Sequence, residues 1–467
     1  MNPAHAPDVY AARRRALRAL LPEPVLLLGN RERPRNLPGN DLPFRQDSTL
    51  LYFTGCALPG AAAWIDEDGC TLYLPEPPAD DAMWHGALPT PKAIAFAHGL
   101  DGAAPRHTLE DRARQAQPHT LAVADPTVNA EASAWIGKPL AFGASPGSAD
   151  LAFAVIQLRR KKGAEELTAM RHAAAITVAA HKVAMGATRP GRTEAQLHAL
   201  FCAALGCRDA VEGYATILTQ RGEVLHNHTH DATLQAGRLL LVDGGAEVAS
   251  GHTADVTRTW PVSGTHTPRQ RAAIEAVCEA QRAAISRCTP GTPYAEVHRT
   301  ACLGVARFLV DEGLLQGITP EGAVEVGAHA MFFPHGTGHL IGLDVHDMRH
   351  LGEAVAYSTA HPRLQGFGSR YLRLTLPLES DWVVTVEPGF YLIPEVLKQP
   401  ALRDAFGRYL NDAVIDDWMG FGGVRIEDDV RVRSEGAPEV LTDALPKSPD
   451  DIEPWIGNDP SLEDLLG

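Results

Sequence analysis

The sequence contains few cysteines, and they follow no pattern. The chain of 467 residues has only seven, an odd number without any Cys-x-x-Cys pair. Scattered thiols of this kind do not indicate a disulfide framework and are typical of a reducing compartment. The sequence therefore predicts a cytoplasmic protein with free thiols.

Clustered positive charge is also lacking. There is no long run of Lys and Arg, and the formal net charge at pH 7 is −15. Nucleic acids and anionic membrane surfaces attract proteins that carry concentrated positive charge. We therefore expect neither as a partner. A metal ion, or a neutral or zwitterionic substrate, agrees better with this charge.

Long apolar runs are missing as well. The first apolar stretch, residues 17–28, is interrupted by Pro22 and Pro24 and lacks a signal-peptide cleavage pattern. We interpret it as a helix followed by a strand from residue 25 to residue 28, and not as a signal peptide or a membrane span. An apolar content of 45% nevertheless predicts a folded, globular chain.

The chain is long enough for two domains. In residues 1–157, short apolar runs alternate with turn residues, which predicts a small N-terminal α/β domain. A short segment rich in Arg and Lys at residues 158–163 precedes a helix-favouring stretch at residues 164–185. We therefore place the domain boundary between residues 157 and 158.

Residues 158–467 are predicted to form an α+β domain with antiparallel strand pairing. Thr267 and Gln270 form a capping-box pattern with Pro268 at the first helical position, which indicates a helix running to about residue 288. A second helix is expected between Pro293 and Gly313. Strand-like segments occur before and after these helices, as in α+β folds.

One pattern occurs twice in the C-terminal domain. Residues 239–245 and 383–389 each contain an apolar strand, a carboxylate and a turn dipeptide, and a second acidic segment follows each of them. The simplest geometry is a pair of hairpins related by an approximate two-fold axis. Their carboxylates would then converge: Asp243, Asp255, Glu387 and Glu427. The alternative is that strand ends before turns simply favour Asp and Gly.

Four converging carboxylates need compensating positive charge, because like charges a few ångströms apart raise one another's pKa. Two divalent cations would balance them. Between the hairpins lie His335, His339 and His346, interleaved with glycines that let the backbone approach closely. One imidazole and four carboxylates form a mixed nitrogen and oxygen site, which suits Mn²⁺, Co²⁺ or Zn²⁺. The predicted cofactor is therefore a pair of divalent ions, with Mn²⁺ expected first.

Six segments carry a resemblance to a known family. They are Val242-Asp-Gly-Gly245, Ala254-Asp-Val-Thr257, Pro334-His-Gly-Thr-Gly-His339, Gly342-Leu-Asp-Val-His-Asp347, Thr385-Val-Glu-Pro-Gly389 and Gly423-Val-Arg-Ile-Glu-Asp-Asp429. In this order they resemble the pita-bread metallopeptidases, and within them the aminopeptidase P and prolidase branch. Upstream, Phe44-Arg-Gln-Asp-Ser48 and Trp84-His-Gly86 look like the creatinase-like N-terminal domain of aminopeptidase P. The resemblance implies a pita-bread fold for the C-terminal domain.

The resemblance also implies a role for each metal-site residue. Asp243 would bind one ion, and Asp255 and Glu427 would bridge both ions. His339 and Glu387 would bind the other ion. Glu387 is in addition the expected proton shuttle.

Three further histidines, and two residues that lie near the bridging ligands in the sequence, complete the implied site. His346 would polarise the scissile carbonyl, while His335 and His226 would lie in the pocket near the proline ring. His226 also fits a surface position, because it begins a run of alternating histidines. Thr257 and Arg425, each two residues from a bridging carboxylate and on the same strand face, should orient the bridging carboxylates.

Three residues are expected to contact the substrate: Tyr214, Arg425 and Arg373. Tyr214 and Arg425 would contact the peptide. By resemblance to prolidases, Arg373 would bind the free carboxylate of a dipeptide, a task that suits the two-pronged guanidinium group. The alternative for Arg373 is an ordinary surface arginine on a strand.

These features predict an exopeptidase that releases the N-terminal residue from Xaa-Pro peptides. Proline forms a tertiary amide without an N–H group, so its bonds need a dedicated pocket. Xaa-Pro aminopeptidase is the favoured activity. Xaa-Pro dipeptidase is the alternative, since the separation of 40 positions from Glu387 to Glu427 is long and the insert from Tyr391 to Met419 resembles that of prolidases. A metal-free binding protein on the same fold is a more distant alternative. The resemblance also suggests a homodimer that acts on small peptides with proline in the second position.

Overall fold

The chain folds into two compact units. The structure is a computed structural model and describes residues 3–466. One unit comprises Met1–Arg160 together with Met348–Val355, and the other comprises Lys161–Asp347 and Ala356–Gly467. The domain boundary between residues 157 and 158 stays a prediction. The sequence pattern did not predict that a segment from the second half of the chain belongs to the first unit.

The first unit combines α-helices with short strands. Its helices are α1 (Pro7–Leu20), α2 (Ser48–Thr54), α3 (Asp81–His85), α4 (Pro91–Ala97), α5 (Leu109–Ala116), α6 (Pro126–Ile136) and α7 (Ala149–Arg160). Its strands are β1 (Val25–Leu28), β2 (Pro34–Leu37), β3 (Asn40–Asp41), β4 (Ala62–Asp66), β5 (Gly69–Leu74), β6 (Gly102–Pro105) and β7 (His119–Thr120). Short 3₁₀ helices lie at Arg106–Thr108, Arg349–Leu351 and Glu353–Val355.

Five of these strands form one mixed sheet in the order β6-β5-β4-β1-β7. Strand β4 pairs antiparallel with β1 and β5, whereas β6 and β7 run parallel to their neighbours. All four residues of β1 are buried, as expected for a central strand with a continuous apolar sequence. The predicted strand at residues 25–28 and the α/β character of this part are confirmed.

Residues 348–355 join the first unit through two kinds of contact. The guanidinium group of Arg160 donates a hydrogen bond to the carbonyl oxygen of Val355 at 2.8 Å. The ring of His350 stacks on Phe142, with ring centroids 4.8 Å apart. The chain enters this segment through Met348, which has a φ of 59°. These contacts explain why so short a segment belongs to this unit.

The second unit carries the longer helices and several small sheets. Its helices are α8 (Ala164–Ala187), α9 (Glu194–Gly206), α10 (Pro268–Ile285), α11 (Tyr294–Asp311), α12 (Pro320–Val326), α13 (Pro394–Leu397), α14 (Pro400–Phe406), α15 (Asp412–Trp418), α16 (Pro449–Ile452) and α17 (Leu462–Leu466). Its strands are β8 (Val211–Glu212), β9 (Ile217–Thr219), β10 (Leu239–Asp243), β11 (Ala246–Glu247), β12 (Thr257–Pro261), β13 (Val383–Val386), β14 (Gly389–Tyr391), β15 (Gly423–Arg425), β16 (Asp428–Arg431) and β17 (Glu439–Val440). Further 3₁₀ helices lie at Ala328–Met331, Ser369–Tyr371, Gly407–Tyr409 and Glu453–Trp455.

The helices predicted in this unit are confirmed. The side chain of Thr267 accepts from the backbone N–H of Gln270, and the Gln270 side chain accepts from the backbone N–H of Thr267. This reciprocal pair satisfies two N–H groups that a helix start would otherwise leave unpaired. Helix α10 ends at Ile285, three residues before the expected end. Helix α11 ends at Asp311, just before Gly313.

A pair of packed helices precedes each predicted hairpin. Helices α8 and α9 precede β10 and β12, and helices α10 and α11 precede β13 and β16. Both helix pairs turn through a Pro-Gly dipeptide whose glycine has a positive φ, 89° at Gly191 and 84° at Gly291. Glycine adopts this backbone conformation without a steric cost. The predicted repeat of hairpins is thus part of a larger repeat of two helices and two strands.

The two hairpins present their acidic residues at strand ends. Strand β10 pairs antiparallel with β12, which places Asp243 opposite Thr257. Strand β13 pairs antiparallel with β16, which places Val386 opposite Asp428. The segments carrying the other carboxylates lie just outside these ladders. Regular pairing therefore stops where the acidic side chains begin.

None of the helices within residues 3–466 combines the length and the apolar character that crossing a membrane requires.

Candidate metal centre

Three of the five predicted metal ligands converge on one point. Donor atoms of Asp255, His339 and Glu427 all lie within 4.8 Å of one another, and all three residues are buried. The Nε2 atom of His339 is 3.4 Å from Oδ2 of Asp255. A separation of this kind between a nitrogen and a carboxylate oxygen is what two ligands of one metal ion require.

The other two predicted ligands flank this group. A carboxylate oxygen of Glu387 lies 3.9 Å from Nε2 of His339. The hydroxyl group of Tyr214 donates a hydrogen bond to Oδ1 of Asp243 at 2.7 Å and also contacts Asp255. All five predicted ligands therefore belong to one contiguous cluster, although only three share a single point.

Backbone hydrogen bonds join the two hairpins at the cluster. The N–H group of Glu427 donates to the carbonyl oxygen of Thr257 at 3.0 Å. In the second hairpin, the N–H group of Glu387 donates to the carbonyl oxygen of Thr337 at 2.8 Å. Glu387 and Glu427 are thus held by pairing between segments, whereas Asp243 lies within the regular strand β10.

The ring of His339 is oriented for metal binding by its neighbours. Its backbone N–H donates to Oγ1 of Thr385 at 3.2 Å, and the N–H of Thr385 donates back to the carbonyl oxygen of His339 at 3.0 Å. The ring Nδ1 lies 3.0 Å from the carbonyl oxygen of Leu340, so it carries the proton and donates. The lone pair of Nε2 then points to the carboxylates, which is the tautomer that a metal ligand needs.

The electrostatics of the cluster fit divalent cations. Burial raises the pKa of Glu427 well above its usual range, and the charge of Asp255 raises it further. Burial likewise raises the pKa of Glu387 to about 7 and raises the pKa of Asp243. A buried group of carboxylates that disfavours its own negative charge is stabilised by cations that compensate it. The donor set of four carboxylates and one imidazole fits hard or borderline divalent ions.

Thr257 and Arg425 support carboxylates, but each acts across the hairpins. The hydroxyl group of Thr257 donates to Oε2 of Glu427 at 2.7 Å. The guanidinium group of Arg425 donates to Oδ2 of Asp243 at 2.6 Å and to Oγ1 of Thr257 at 3.1 Å. We expected both residues to orient the bridging carboxylates. Thr257 does contact one of these, Glu427, whereas Arg425 contacts Asp243, and in both cases the carboxylate belongs to the other hairpin.

His335 belongs to a buried hydrogen-bond chain beside the cluster. Arg425 donates to the hydroxyl oxygen of Tyr391 at 3.1 Å, and that hydroxyl group donates to Nε2 of His335 at 2.9 Å. The Nδ1 atom of His335 donates to the carbonyl oxygen of Gly336 at 2.8 Å. Burial lowers the pKa of His335 to about 3, and the Arg425 charge acts in the same direction. His335 is therefore a neutral imidazole, and its catalytic role stays a prediction.

His346 packs against the metal-site histidine and is held by Arg373. The rings of His346 and His339 meet edge to face, with centroids 4.2 Å apart. The guanidinium group of Arg373 lies 2.9 Å from Nδ1 of His346. An arginine can only donate, so Nδ1 accepts and the ring proton resides on Nε2. Arg373 follows a 3₁₀ turn rather than lying on a strand; its carboxylate-binding role stays a prediction.

His226 and Tyr214 lie near the same charges. Loss of hydration lowers the pKa of His226, and the nearby Arg425 lowers it further. The ring of His226 stacks beside His228, with centroids 6.4 Å apart. Tyr214 contacts two carboxylates, as described above, rather than facing away from them. Substrate contacts of both residues stay predictions.

The structure adds residues that the sequence pattern did not single out. Lys162 donates to Oδ2 of Asp347 at 2.8 Å, and both side chains are 1% exposed. This buried ion pair anchors the chain directly after His346. Tyr391 and Thr385 are also missing from the predicted site. The basic run at residues 159–162 gives no local signal that Lys162 forms a buried ion pair, because its partner lies 185 residues away.

Comparison with known families matches two parts of the chain. Residues 168–434 match the metallopeptidase family M24. The chain belongs to this family. Residues 10–122 match the aminopeptidase P N-terminal domain. This M24 metallopeptidase is therefore a hydrolase, and the family implies divalent metal ions.

Relatives and solved structures agree with the family. A probable Xaa-Pro aminopeptidase of Penicillium rubens is 31% identical, with 88% of each chain covered. The Xaa-Pro dipeptidase of Homo sapiens is 30% identical, with 92% of this chain and 87% of that protein covered. The aminopeptidase PepP structure of Pseudomonas aeruginosa superposes with a TM-score of 0.81 at 28% identity, covering 97% of this chain and 98% of that chain. This M24 chain therefore has the predicted two-part architecture of aminopeptidase P along nearly its whole length.

Proposed function

We propose that this M24 metallopeptidase removes the N-terminal residue from peptides with proline in the second position, using two divalent metal ions. The observation that carries the proposal is the convergence of Asp255, His339 and Glu427, with Asp243 and Glu387 beside them. The printed names of the relatives, Xaa-Pro aminopeptidase and Xaa-Pro dipeptidase, support the substrate class.

The cluster provides two groups of donors for the ions. Asp243 would hold one ion and His339 and Glu387 the other, while Asp255 and Glu427 would contribute to both. When bound, such ions polarise a carbonyl oxygen and lower the pKa of water. The residues of the chain fix where that chemistry occurs, because hydrogen bonds from Tyr214, Thr257 and Arg425 hold the carboxylate oxygens in place.

His346 is placed to stabilise the negative charge that develops on the scissile carbonyl oxygen. Because Arg373 donates to Nδ1, the ring presents an N–H donor at Nε2. A donor of this kind, fixed before the reaction, stabilises an oxyanion without the cost of reorganisation. Glu387 is the proton shuttle in this proposal, since its side chain is 19% exposed while that of His339 is only 5% exposed.

The proposal extends to the identity of the metal and to assembly. Mn²⁺ is the expected ion, because four oxygen donors and one nitrogen donor suit it better than a thiolate-seeking metal. The homodimer and the cytoplasmic location stay predictions from the sequence. Light scattering on the purified protein and fractionation of the source cells test them.

Substrate length tests the proposed activity. The purified enzyme is freed of metal, reloaded with Mn²⁺ and offered Ala-Pro, Ala-Pro-Ala and Ala-Ala-Ala. We expect release of Ala from Ala-Pro-Ala with a higher kcat/KM than from Ala-Pro, and no comparable cleavage of Ala-Ala-Ala. The variant Asp255→Asn should lose both metal and activity, because it removes a charge that the ions require.

Xaa-Pro dipeptidase is the second candidate. It is supported by the dipeptidase of Homo sapiens, which matches along nearly the whole chain, and by the 40-residue separation of Glu387 and Glu427. Hydrolysis confined to Ala-Pro would establish it in place of the aminopeptidase. If neither proline peptide is cleaved after metal reconstitution, both activities are wrong. A failure to bind any divalent ion would favour the metal-free binding protein.

A further inference from the structure

A second cluster of metal-ligating side chains lies on the second unit, built from residues that the candidate metal centre does not use. His198 and Cys202 are four residues apart in helix α9, so they lie on one face, one turn apart. Glu212 reaches the same place from strand β8. One donor atom from each of the three residues lies within 4.8 Å of the other two.

The contacts in this cluster all meet at one ring nitrogen. Nε2 of His198 is 3.0 Å from Oε1 of Glu212 and 3.3 Å from Sγ of Cys202. In a nucleophilic triad, one nitrogen of the imidazole contacts the nucleophile, here a thiol, and the other nitrogen contacts the carboxylate. Here both partners share Nε2, so the arrangement is not a nucleophilic triad. Three donors that converge from three side chains are the arrangement of a metal site.

The electrostatics show that the cluster favours a cation at its centre. Hydrogen bonds with Cys202 and with Glu212 raise the pKa of His198 to about 10. The hydrogen bond with His198 lowers the pKa of Glu212 to about 2. The proton on Nε2 therefore lies between a sulfur atom and a carboxylate. A metal ion can replace that proton and meet the same three donors.

We propose that His198, Cys202 and Glu212 bind one zinc ion, separate from the candidate metal centre. Tetrahedral zinc, with bonds near 2.0–2.3 Å, places its ligand atoms roughly 3.4–3.6 Å apart. The observed separations of 3.0 Å and 3.3 Å need only a few tenths of an ångström of outward movement, by roughly the amount that removal of a shared proton allows. Nitrogen, sulfur and oxygen donors together suit zinc among the divalent ions.

Charge balance supports the same ion. A thiolate and a carboxylate carry two negative charges, and a neutral imidazole carries none, so the occupied site is electrically neutral. The ligands must lose their protons to bind. Zinc therefore competes with protons for these ligands, and the zinc affinity falls as the pH is lowered.

The site leaves one coordination position for water or an external ligand. The side chains of His198 and Glu212 are 26% and 32% exposed. His230 packs on one side, with its ring stacked on that of His198 at a centroid distance of 4.1 Å. Its Nε2 atom lies 3.1 Å from the carbonyl oxygen of Thr216. His230 thus covers the cluster as a packed ring and is not counted among the ligands.

The position of the cluster gives the ion a structural role. The cluster ties helix α9 to strand β8. Tyr214 follows Glu212 by two residues, and its hydroxyl group donates a hydrogen bond to Asp243. Glu212 also accepts from the backbone N–H of Thr216 at 3.3 Å. Zinc at this cluster therefore fixes both sides of the turn that carries Tyr214.

Cobalt substitution tests the site through its sulfur ligand. Co²⁺ bound to a thiolate gives an intense charge-transfer band in the near ultraviolet, and the candidate metal centre contains no sulfur donor. Of the seven cysteines, five are buried, and Cys207 is exposed at the end of the same helix. The apo-protein is therefore titrated with Co²⁺ as wild type, Cys202→Ser and the matched control Cys207→Ser, under a reducing agent that does not bind metals.

We expect the band in the wild type and in Cys207→Ser, and its loss in Cys202→Ser. After loading with Zn²⁺ and gel filtration, the metal content of Cys202→Ser and of His198→Gln should be one ion per chain lower than that of Cys207→Ser. Circular dichroism confirms that the variants are folded. Absence of the band in the wild type at saturating Co²⁺, or its persistence in Cys202→Ser, would overturn the site. Neither readout depends on peptidase activity, so failure here leaves the proposed function untouched.

Discussion

Replacement of Arg373 by methionine separates two roles for this arginine. In the structure its guanidinium group donates to Nδ1 of His346 at 2.9 Å, and this contact fixes the proton on Nε2. Methionine keeps much of the side-chain length but has no donor. Arg373→Met therefore removes the donor that favours the proton on Nε2, and a ring with its proton on Nδ1 presents no N–H at Nε2.

The size of the effect follows from the hydrogen bond that is lost. A hydrogen bond to a charged group contributes about 1.5–3 kcal/mol. If this energy maintains the donor tautomer and the orientation of the ring during the reaction, kcat should fall by about 10- to 150-fold. Because the effect acts on the chemistry at the carbonyl group, it should be similar for Ala-Pro and Ala-Pro-Ala. The KM values should change little.

Steady-state kinetics on both peptides distinguish this role from recognition of the free carboxylate. A carboxylate-binding arginine would raise KM for Ala-Pro far more than for Ala-Pro-Ala. The control is Arg370→Met, because Arg370 is exposed in the same segment and contacts Tyr371 rather than His346. An unchanged kcat on both peptides in Arg373→Met, with a raised KM for the dipeptide alone, would refute the reasoning from the tautomer.

Two further substitutions test the supports of the site. Lys162→Met removes the buried ion pair with Asp347 at 2.8 Å, and breaking such a pair typically costs about 3–5 kcal/mol. Urea unfolding should show a lower midpoint, whereas exposed Lys161→Met should unfold like the wild type. In Gly245→Ala the new Cβ would lie 1.8 Å from the carbonyl oxygen of Ala254. Asp255, the proposed ligand next to Ala254, must therefore move by roughly 1 Å, which is enough to lower kcat about 100-fold. Gly206→Ala is the control, because a Cβ there meets nothing within 4 Å; equal activity of the two variants would contradict the argument.

The hairpins and their acidic residues could be predicted because the signal is local and repeated. An apolar strand followed by a carboxylate and a turn dipeptide is visible in a few consecutive residues, and its second occurrence makes coincidence less credible. The helices α8, α10 and α11 follow equally from local composition and capping. A further local signal was available but unused: the Pro-Gly turns at Gly191 and Gly291 join corresponding helices of the two repeats.

The remaining features depend on contacts between distant parts of the chain. Nothing near Arg373 indicates that it donates to His346, since the two are 27 residues apart. The expectation that Thr257 and Arg425 orient the bridging carboxylates used the period of an isolated strand. It did not include the other hairpin, which supplies the carboxylate that each of these residues contacts. Strand periodicity gives the face of a side chain, but the partner on that face is set by tertiary packing.

The exchange of partners between the hairpins explains why the repeat forms one site. Thr257 of the first hairpin holds Glu427 of the second, and Arg425 of the second holds Asp243 of the first. Each hairpin therefore supplies a hydrogen bond that fixes one carboxylate of the other. Since the loss of such supporting hydrogen bonds typically weakens metal binding 10- to 100-fold, neither hairpin alone would hold its ligands in place. Metal binding then requires both halves to be docked, which joins the folding of the repeat to the formation of a single shared centre.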